Sequence, residues 1–256
     1  MPPPGSSSPP SPDKLKRSRV NLVNDTGMEG ILVKYPLIIV NLKTYREGMG
    51  ENAVKLAKIA EQVHVKTGTS IALAPQLADS KIVIDSSETP VFAQHVDPVG
   101  MGQFTGHILP ESVAEAGCTG TLINHSERQL PLEVIKATIK RAREADLSTV
   151  VCVDTVEKGR QVAAFAPEAI AIEPPELIGS GISVSKAKPE VISGAVSAIK
   201  HVNPKIRVLC GAGVTNGEDV AIAQKLGAEG ILVASGVVKA KDPYAALLDL
   251  ARSLRH

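Results

Sequence analysis

Eight short apolar segments recur along this chain from residue 37 onward, and they constrain the fold more than any other feature of the sequence. Each is β-branched or continuously apolar, which is typical of strands that are buried on both faces of a parallel sheet. The predicted strands are Leu37–Lys43, Ser70–Ala74, Pro90–His95, Gly120–His125, Thr149–Val153, Ala169–Glu173, Arg207–Gly211 and Gly230–Ala234. Helical or loop segments separate them, so the sequence predicts an alternating α/β fold.

Several of the intervening segments carry helix signals. Apolar residues recur at helical spacing within Ala53–Val63, and a second such stripe begins within Leu132–Ile139. The segment Thr215–Glu218 has the S/T-x-x-E form of a capping box, and Gly227 fits the position just after a helix. Asp242-Pro243 places proline at the first position of a last helix. The segments after the second and third strands are shorter and give weaker signals.

The number of strand–helix units favours a closed (β/α)8 barrel in a single domain. Eight units fit into the roughly 220 residues from position 35 to 256, and such barrels commonly need about 250 residues. An open doubly wound sheet would carry a glycine-rich fingerprint after its first strand. Here the first strand ends in Asn41-Leu-Lys43 instead. We therefore predict a barrel over residues 35–256.

Residues 1–34 are predicted to be an N-terminal extension outside that barrel. The first twelve are rich in proline and serine and contain no core-forming residue, which predicts disorder at least over residues 1–12. The basic run Lys14–Arg19 is interpreted as solvated. A transit peptide would fit the serine and arginine content but not the proline density. The alternative is an added leader ahead of a natural start near Met28 or later.

Composition excludes several classes of partner. The net charge is +1 and only 2% of residues are aromatic, which argues against a nucleic-acid-binding surface. No apolar run approaches the ~20 residues that span a bilayer. The three cysteines Cys118, Cys152 and Cys210 are far apart and lie in or beside apolar stretches. They are predicted to be reduced, buried thiols of a cytoplasmic protein.

Polar residues stand where the predicted strands end, which is the edge of a (β/α)8 barrel that carries the active site. Asn41 and Lys43 are two residues apart and are therefore expected to point to the same side of the first strand. His125 at the end of the fourth strand could polarise a carbonyl or move a proton. Glu127 could pair with Lys43 or be a solvated charge. Glu173 ends the sixth strand and is the candidate base. Taken singly, each could be an ordinary surface or structural residue.

Glycine and proline patterns complete this rim. Glu173 is followed by two prolines and a Gly-Ser-Gly hinge, which predicts a mobile lid over Pro174–Gly181. The turns Gly211–Gly213 and Ala234–Gly236 follow the seventh and eighth strands, the usual phosphate site of these barrels. A base, an electrophile, a cation and a phosphate cradle on one rim indicate an enzyme that handles a small phosphorylated carbonyl compound.

From about Tyr35 to the C-terminus, the chain resembles the triosephosphate isomerase family in its compact archaeal form. The motifs that carry the resemblance are Val40-Asn-Leu-Lys43, Phe104-Thr-Gly106, Asn124-His-Ser-Glu127, Glu173 through Gly181, Gly211-Ala-Gly213 and Ala234-Ser235. Six ordered motifs at matching strand ends make the resemblance specific.

The resemblance implies a role for each polar residue of the rim. Glu173 would be the base that moves a proton between two carbons of glyceraldehyde 3-phosphate and dihydroxyacetone phosphate, and His125 the electrophile, which acts as a neutral imidazole in this family. Lys43 would stabilise negative charge, and Asn41 would orient substrate and lysine. The residues placed at the substrate or its phosphate are Asn41, Lys43, Ile178, Gly179, Gly213, Ala234 and Ser235, supported by Glu127 and Thr105. No metal or organic cofactor is implied.

The chain departs from the common bacterial and eukaryotic pattern of that family at five positions. Glu176 stands where a tryptophan is usual in the lid, and Ser180 where threonine is commoner. Cys210 replaces the tyrosine that latches the closed lid, Ala234 a glycine of the phosphate loop, and His107 an acidic residue. The archaeal form shares the changes at Glu176, Cys210, Ala234 and His107, which bear on how the lid is latched, and Ser180 keeps a hydroxyl.

Assembly and cellular role also follow from the resemblance. Thr105 lies in the loop that, in this family, inserts into the partner subunit near its lysine and asparagine. The resemblance thus implies at least a homodimer, and the archaeal form a homotetramer. It also implies a cytoplasmic enzyme of glycolysis and gluconeogenesis.

Two other interpretations remain at the level of sequence. One is a phosphate-binding barrel enzyme of another pathway, such as an aldolase, which would need a Schiff-base lysine inside the barrel. Lys43 is the one lysine placed at a strand end, and its Asn-x-Lys setting fits the isomerase better. The other is a non-catalytic metabolite binder, which the loss of Glu173, His125 or Lys43 would favour. All three residues are present, and turnover distinguishes the cases.

Overall fold

A computed structural model of the protein describes residues 22–23, 29–30, 33–174 and 189–254. The chain divides into two units, Met1–Leu32 and Val33–His256. In the first, Leu22–Val23 and Glu29–Gly30 pair as two antiparallel strands. The disorder predicted for residues 1–12 falls outside the described residues.

Eight parallel strands form the second unit. They are β1 (Leu37–Asn41), β2 (Ser70–Ala74), β3 (Phe92–Ala93), β4 (Gly120–Ile123), β5 (Ser148–Val153), β6 (Ala169–Ile172), β7 (Arg207–Cys210) and β8 (Gly230–Val233). They are hydrogen-bonded in the order β2-β1-β8-β7-β6-β5-β4-β3. A parallel bridge between Leu73 and Val91 joins the two ends of this order, so the sheet is a nearly closed barrel. The predicted fold is confirmed.

Helices alternate with these strands. They are α1 (Glu51–Thr67), α2 (Leu77–Ser86), α3 (Pro110–Glu115), α4 (Leu132–Glu144), α5 (Val156–Ala163), α6 (Pro189–Val202), α7 (Gly217–Lys225), α8 (Ser235–Val238) and α9 (Pro243–Ser253). A 3-10 turn at Arg46–Gly48 precedes α1. Among the described residues, no helix is both long and apolar enough to cross a membrane.

The strands are buried on both faces, as their composition predicts. All five residues of β1 are buried. Ile39 belongs to the apolar cluster shared by the strand interiors, whereas Ile38 belongs to a cluster that includes the buried face of α1. Phe92 helps to fill the interior, and Gly120 makes room for it, since a Cβ at position 120 would overlap the Phe92 ring, with Cζ only 2.7 Å away. Side-chain packing on both faces therefore fixes which residues each strand presents to either side.

Helix ends follow the predicted signals with one exception. The Asp242 side chain accepts a hydrogen bond from the N–H of Ala245, with Pro243 at the first helical position. Gly227 follows α7 with a φ of +96°, which suits glycine. The predicted capping box at Thr215 is wrong: Asn216 is the N-cap, and its side chain accepts from the N–H of Asp219. Asparagine competes well for this position because its side chain accepts bonds from helix N–H groups.

Most strands end one or two residues earlier than predicted. β1 ends at Asn41, and Lys43 has a left-handed backbone with a φ of +48°. The expectation that Asn41 and Lys43 point to the same side of a strand is therefore wrong. The Asn41 side-chain oxygen accepts the N–H of Lys43 at 2.9 Å, so a local turn replaces the continued strand. Asn124, just after β4, is also left-handed, with a φ of +60°.

The three cysteines are free and buried, as predicted. Cys152 lies on β5 in the interior cluster, and Cys210 ends β7. Burial raises the pKa of the Cys118 thiol to about 11 and that of Cys210 to about 12. Thiols with such pKa values are protonated at neutral pH and behave as small apolar side chains.

Candidate active site

A cavity of about 280 Å³ opens at the carboxyl ends of the strands. It brings together eight of the predicted site residues: Asn41, Lys43, His125, Glu127, Glu173, Gly213, Ala234 and Ser235. Thr105 is exposed and does not line it. Ile178, Gly179 and most of the predicted lid, including Glu176 and Ser180, lie outside the described residues. Residues far apart in sequence meet here because parallel strands end at one edge of a barrel.

Glu173 and His125 face each other in this cavity. Glu173 Oε1 lies 3.5 Å from His125 Nε2, and the two side chains are 5% and 10% exposed. The Glu173 N–H donates to the carbonyl of Val153 at 2.8 Å, which anchors the residue to β5. Among the described residues, Glu173 Oε2 is buried without a hydrogen-bond partner. The carboxylate therefore keeps one oxygen available to take a proton.

Burial tunes the acidity of Glu173. Loss of solvent raises the pKa of its carboxyl group to about 7. A hydrogen bond from the Cys152 thiol, the positive charge of Lys43 and the backbone N–H of Ser126 act in the opposite direction. A base works best when its pKa lies near the working pH, so Glu173 is suited to proton transfer at neutral pH.

His125 is held as a neutral hydrogen-bond donor. Burial lowers the pKa of its imidazole, and the nearby charge of Lys43 lowers it further. The backbone N–H of Glu127 donates to Nδ1 at 3.2 Å, so Nδ1 carries no hydrogen and Nε2 carries one. That hydrogen lies on the side of the ring near Glu173. A neutral Nε2–H in this position can donate to a substrate oxygen.

Lys43 is fixed from its backbone to its ammonium group. Its carbonyl accepts a hydrogen bond from Gln94 Nε2 at 2.9 Å, and the same nitrogen donates to the carbonyl of Ala74 at 3.0 Å. Its Nζ lies 2.9 Å from Glu127 Oε1, with the lysine side chain 13% exposed. Glu127 thus pairs with Lys43, the first of its two predicted alternatives. These contacts hold a cation at the cavity beside His125.

Glycine-rich backbone forms the opposite wall of the cavity, made of residues 211–214 and 234–236. Gly213 has a φ of +67°, a left-handed conformation that favours glycine. Ala234 is the N-cap of α8, so the N–H groups of Ser235 and Gly236 lie in its first turn. First-turn N–H groups lack partners within a helix and can bind an anion.

Gly211 leaves room for the candidate base. A Cβ at this position would lie 2.6 Å from Cγ of Glu173 and 3.3 Å from its Cδ. Its backbone conformation is not one that excludes other residues. The requirement for glycine here is therefore set mainly by the neighbouring side chain of Glu173, with the Ile172 carbonyl oxygen also close at 3.2 Å. The sequence alone suggests only a phosphate turn at this position.

Replacing Gly211 by alanine should consequently displace Glu173. We expect kcat/KM to fall roughly 100-fold, because a misplacement of about 1 Å in a catalytic group has an effect of that size. Gly194→Ala is the matched control, since a Cβ there would meet nothing closer than Val156 Cγ2 at 3.9 Å. Steady-state kinetics of the two variants test this, and wild-type turnover by Gly211→Ala would contradict it.

The raised pKa of Glu173 predicts an acid limb in the pH profile. Only the ionised carboxylate accepts a proton, so kcat/KM should decrease about tenfold per pH unit below a pH of about 7. The measurement is the pH dependence of kcat/KM, corrected for substrate phosphate, whose second pKa is about 6. A limb near 4.5, the ordinary value of a glutamate, would show that burial does not raise the pKa of Glu173 in the working enzyme.

A second cavity of about 250 Å³ adjoins the first and shares Asn41, Lys43, His125 and Glu127 with it. Its other walls are Thr44, Gln76, Leu77, Gln94, His95, Ile108 and Arg128. Asp97 organises this side, since it accepts a bond from the N–H of Ile108 at 2.7 Å and pairs with His95 Nε2 at 3.0 Å. Among the described residues, no group of three or more His, Cys, Asp or Glu side chains is placed to hold a metal ion.

The fold and this constellation agree with comparisons to known proteins. The family model described as Triosephosphate isomerase matches residues 36–253. The chain belongs to the triosephosphate isomerase family. It is 49% identical to the triosephosphate isomerase of Methanocaldococcus jannaschii over 216 residues, which are 84% of this chain and 99% of that protein. Identity is 52% over 217 residues with that of Methanosarcina acetivorans and 50% over 217 with that of Methanosarcina barkeri, in each case 85% of this chain and 98% of the relative.

Resemblance to the triosephosphate isomerase family predicts the residues of the rim, but it does not predict all the residues that hold them in place. Gln94, Cys152 and Gly211 each touch a predicted site residue, and sequence reasoning assigned none of them that role. Gln94 lies next to the end of the predicted strand Pro90–His95, so its position at the barrel rim could have been noticed. Cys152 and Gly211 carry no signal of their own, because their contacts with Glu173 arise between neighbouring strands.

Proposed function

We propose that the protein interconverts D-glyceraldehyde 3-phosphate and dihydroxyacetone phosphate. The observation that carries the proposal is the pairing of a buried carboxylate with a neutral imidazole, Glu173 and His125, beside the cation of Lys43. Relatives about half identical over nearly their whole length are named triosephosphate isomerase, which supports the same reaction. The enzyme is thus an intramolecular isomerase of glycolysis.

The reaction proceeds by proton transfer. Glu173 takes the proton from the second carbon of glyceraldehyde 3-phosphate, and the electron pair forms a double bond to the first carbon while the carbonyl oxygen gains negative charge. His125 passes the hydroxyl proton from the oxygen on the second carbon to the oxygen on the first. Protonated Glu173 then delivers its proton to the first carbon, which completes dihydroxyacetone phosphate. Lys43 stabilises the negative charge of the intermediate.

The substrate phosphate lies against the glycine-rich wall. Backbone N–H groups at Gly213, Ala234 and Ser235 bind its oxygens, and Asn41 orients the substrate. By resemblance to the family, Ile178 and Gly179 complete the phosphate site in a lid over Pro174–Gly181. A closed lid would exclude water and keep the intermediate from eliminating phosphate. The reaction requires no metal or organic cofactor, because proton transfer and electrostatics suffice.

Self-association completes this proposal. Met101 and Phe104 are large apolar side chains that are 76% and 45% exposed, and they precede Thr105 in the same exposed loop. Burial of such side chains against a second copy would be favourable. Thr105 of that copy would enter the second cavity, near Asn41 and Lys43. A homodimer is the minimum assembly and a homotetramer is suggested by the archaeal form, in the cytoplasm.

Conversion of glyceraldehyde 3-phosphate by the purified chain tests the proposed reaction. The expected result is fast formation of dihydroxyacetone phosphate without added metal or cofactor. Absence of turnover in a folded protein that still binds inorganic phosphate would overturn the isomerase and favour a metabolite-binding barrel. Repeating the assay on a chain that begins near residue 34 distinguishes that case from a site obstructed by the N-terminal extension.

A further inference from the structure

Only two carboxylates are buried among the described residues, Glu173 and Asp219. The first is the proposed base. Asp219 is 0% exposed, lies on α7 and takes no part in the proposed proton transfer. A buried charge is costly unless hydrogen bonds compensate it, so the bonds of Asp219 indicate what it does.

Asp219 holds the end of the loop that forms the phosphate wall. Its Oδ2 accepts the backbone N–H of Thr215 at 2.9 Å and the Thr215 hydroxyl at 2.7 Å. Its own N–H donates to Asn216 Oδ1 at 3.1 Å. The carboxylate thus reaches back from the first turn of α7, where the helix dipole favours negative charge, to the last residue of the loop.

The loop that forms the phosphate wall comprises residues 211–215, and we call it the β7–α7 loop. It begins at Gly211, against the side chain of Glu173, and Gly211 to Val214 line the active-site cavity. Near its start, the Cys210 thiol donates to the carbonyl of Ala212 at 3.6 Å. The left-handed Gly213 lies between this contact and the Asp219–Thr215 contacts. The position of the Gly213 N–H therefore depends on both.

We propose that Asp219 is a positioning residue for the substrate phosphate, acting through Thr215 on the β7–α7 loop. This inference rests on the proposed function, since it assigns the loop to the dianionic phosphate of the triose. A positioning role predicts that replacing Asp219 lowers kcat/KM for substrates that carry the phosphate and hardly changes the proton transfer itself. A purely structural role would affect both equally.

Asp219→Ala, measured with two substrates, tests the proposal. With glyceraldehyde 3-phosphate we expect kcat/KM to fall roughly 10- to 100-fold, the effect of losing hydrogen bonds to a charged group. With glyceraldehyde, which lacks the phosphate, kcat/KM should stay within about threefold of wild type. The inhibition constant of inorganic phosphate should rise in parallel with the first effect. Asp219→Asn, which keeps an acceptor oxygen in place, should recover part of the loss.

Asp249→Ala is the matched control. The exposed Asp249 accepts the N–H of Gly217 at 2.7 Å, so it also binds the start of α7, but it does not line the cavity. Its replacement should leave both substrates and phosphate inhibition unchanged. Should Asp219→Ala fail to fold, Thr215→Val removes only the hydroxyl donor, and it should weaken phosphate inhibition while sparing glyceraldehyde.

Equal losses for the two substrates in a folded Asp219→Ala protein, or unchanged phosphate inhibition, would overturn the positioning role. Failure of the proposed function has a different signature, because wild-type protein would then not isomerise glyceraldehyde 3-phosphate. In that case the dissociation constants of inorganic phosphate for wild type and Asp219→Ala, measured directly by calorimetry, still decide whether Asp219 positions an anion-binding loop.

Discussion

Glu173→Gln should reduce kcat for glyceraldehyde 3-phosphate by roughly 1,000-fold or more, since a general base contributes on the order of 10² to 10⁴ to a rate. Glutamine has nearly the same shape, so it should occupy the same place beside His125. The Val153 contact uses the backbone of residue 173 and is unaffected. KM and phosphate inhibition should therefore change little while kcat falls.

The unfolding temperature of Glu173→Gln tests whether the variant loses activity because it unfolds. The pKa of Glu173 is raised from 4.5 to about 7, so the folded state holds this proton more tightly than the unfolded state. The resulting contribution to stability is present below 4.5 and is lost as the pH rises through 7. At pH 8, ionised Glu173 thus destabilises the fold, and the Gln variant should unfold at a temperature no lower than wild type.

Glu168→Gln is the matched control for this prediction. Glu168 is exposed and immediately precedes β6, whereas Glu173 follows the same strand at its other end. The two substitutions thus differ in which end of the barrel they alter. Glu168→Gln should retain wild-type kcat. Near-normal turnover in folded Glu173→Gln would show that Glu173 is not the base and that another group in the cavity takes the proton.

The barrel was predictable because its determinants are local in sequence. Apolar runs such as the one in β1 pack on both faces, and each is followed by a segment with its own helix signals. The order of the site residues around the rim follows from the fold, since Lys43, His125 and Glu173 each follow the end of a strand. These two facts are sufficient to bring Lys43, His125 and Glu173 together from sequence alone.

The geometry of the site was not predictable, because it depends on contacts between distant segments. The backbone of Lys43 turns left-handed with its carbonyl bonded to Gln94, a contact across 51 residues. The Asn124 side chain donates to the carbonyl of Cys152 at 2.6 Å, a contact across 28 residues that helps to hold the left-handed residue before His125. Such bonds shorten the strands and aim the side chains, and periodicity contains no information about them.

The residues around the base and the phosphate loop show the same limit of prediction from sequence. In the sequence, Gly211 looks like one more glycine of a turn, yet the absence of a Cβ there makes room for the Glu173 side chain. The sequence predicts Cys152 only as a buried thiol, yet its hydrogen bond lowers the pKa of Glu173. Asp219 stands out by no sequence motif, yet it is fully buried. In each case the chemistry depends on a neighbour in an adjacent strand or loop, which a single sequence does not reveal.

Lys43→Met should lower kcat/KM by roughly 100- to 1,000-fold, the effect of removing one group that stabilises developing negative charge. Methionine is similar in length and makes the same demands on the left-handed backbone, so the turn held by Asn41 and Gln94 should persist. Glu127 loses its partner, but it is 61% exposed and remains solvated. The measured change is therefore attributable to the missing charge. Lys58→Met, an exposed position on α1, should leave kcat/KM unchanged.

The pH profile of Lys43→Met separates a lost charge from a general disturbance. The charge of Lys43 lowers the pKa of Glu173 and also that of His125. Its removal should therefore raise both values and move the acid limb of kcat/KM to a pH above that of wild type. A damaged fold would admit water to the cavity, weaken the effect of burial and move the Glu173 limb the opposite way, towards 4.5. An alkaline shift with reduced rate would thus identify Lys43 as an electrostatic partner of both groups, and an acid shift would show that its replacement opens the site.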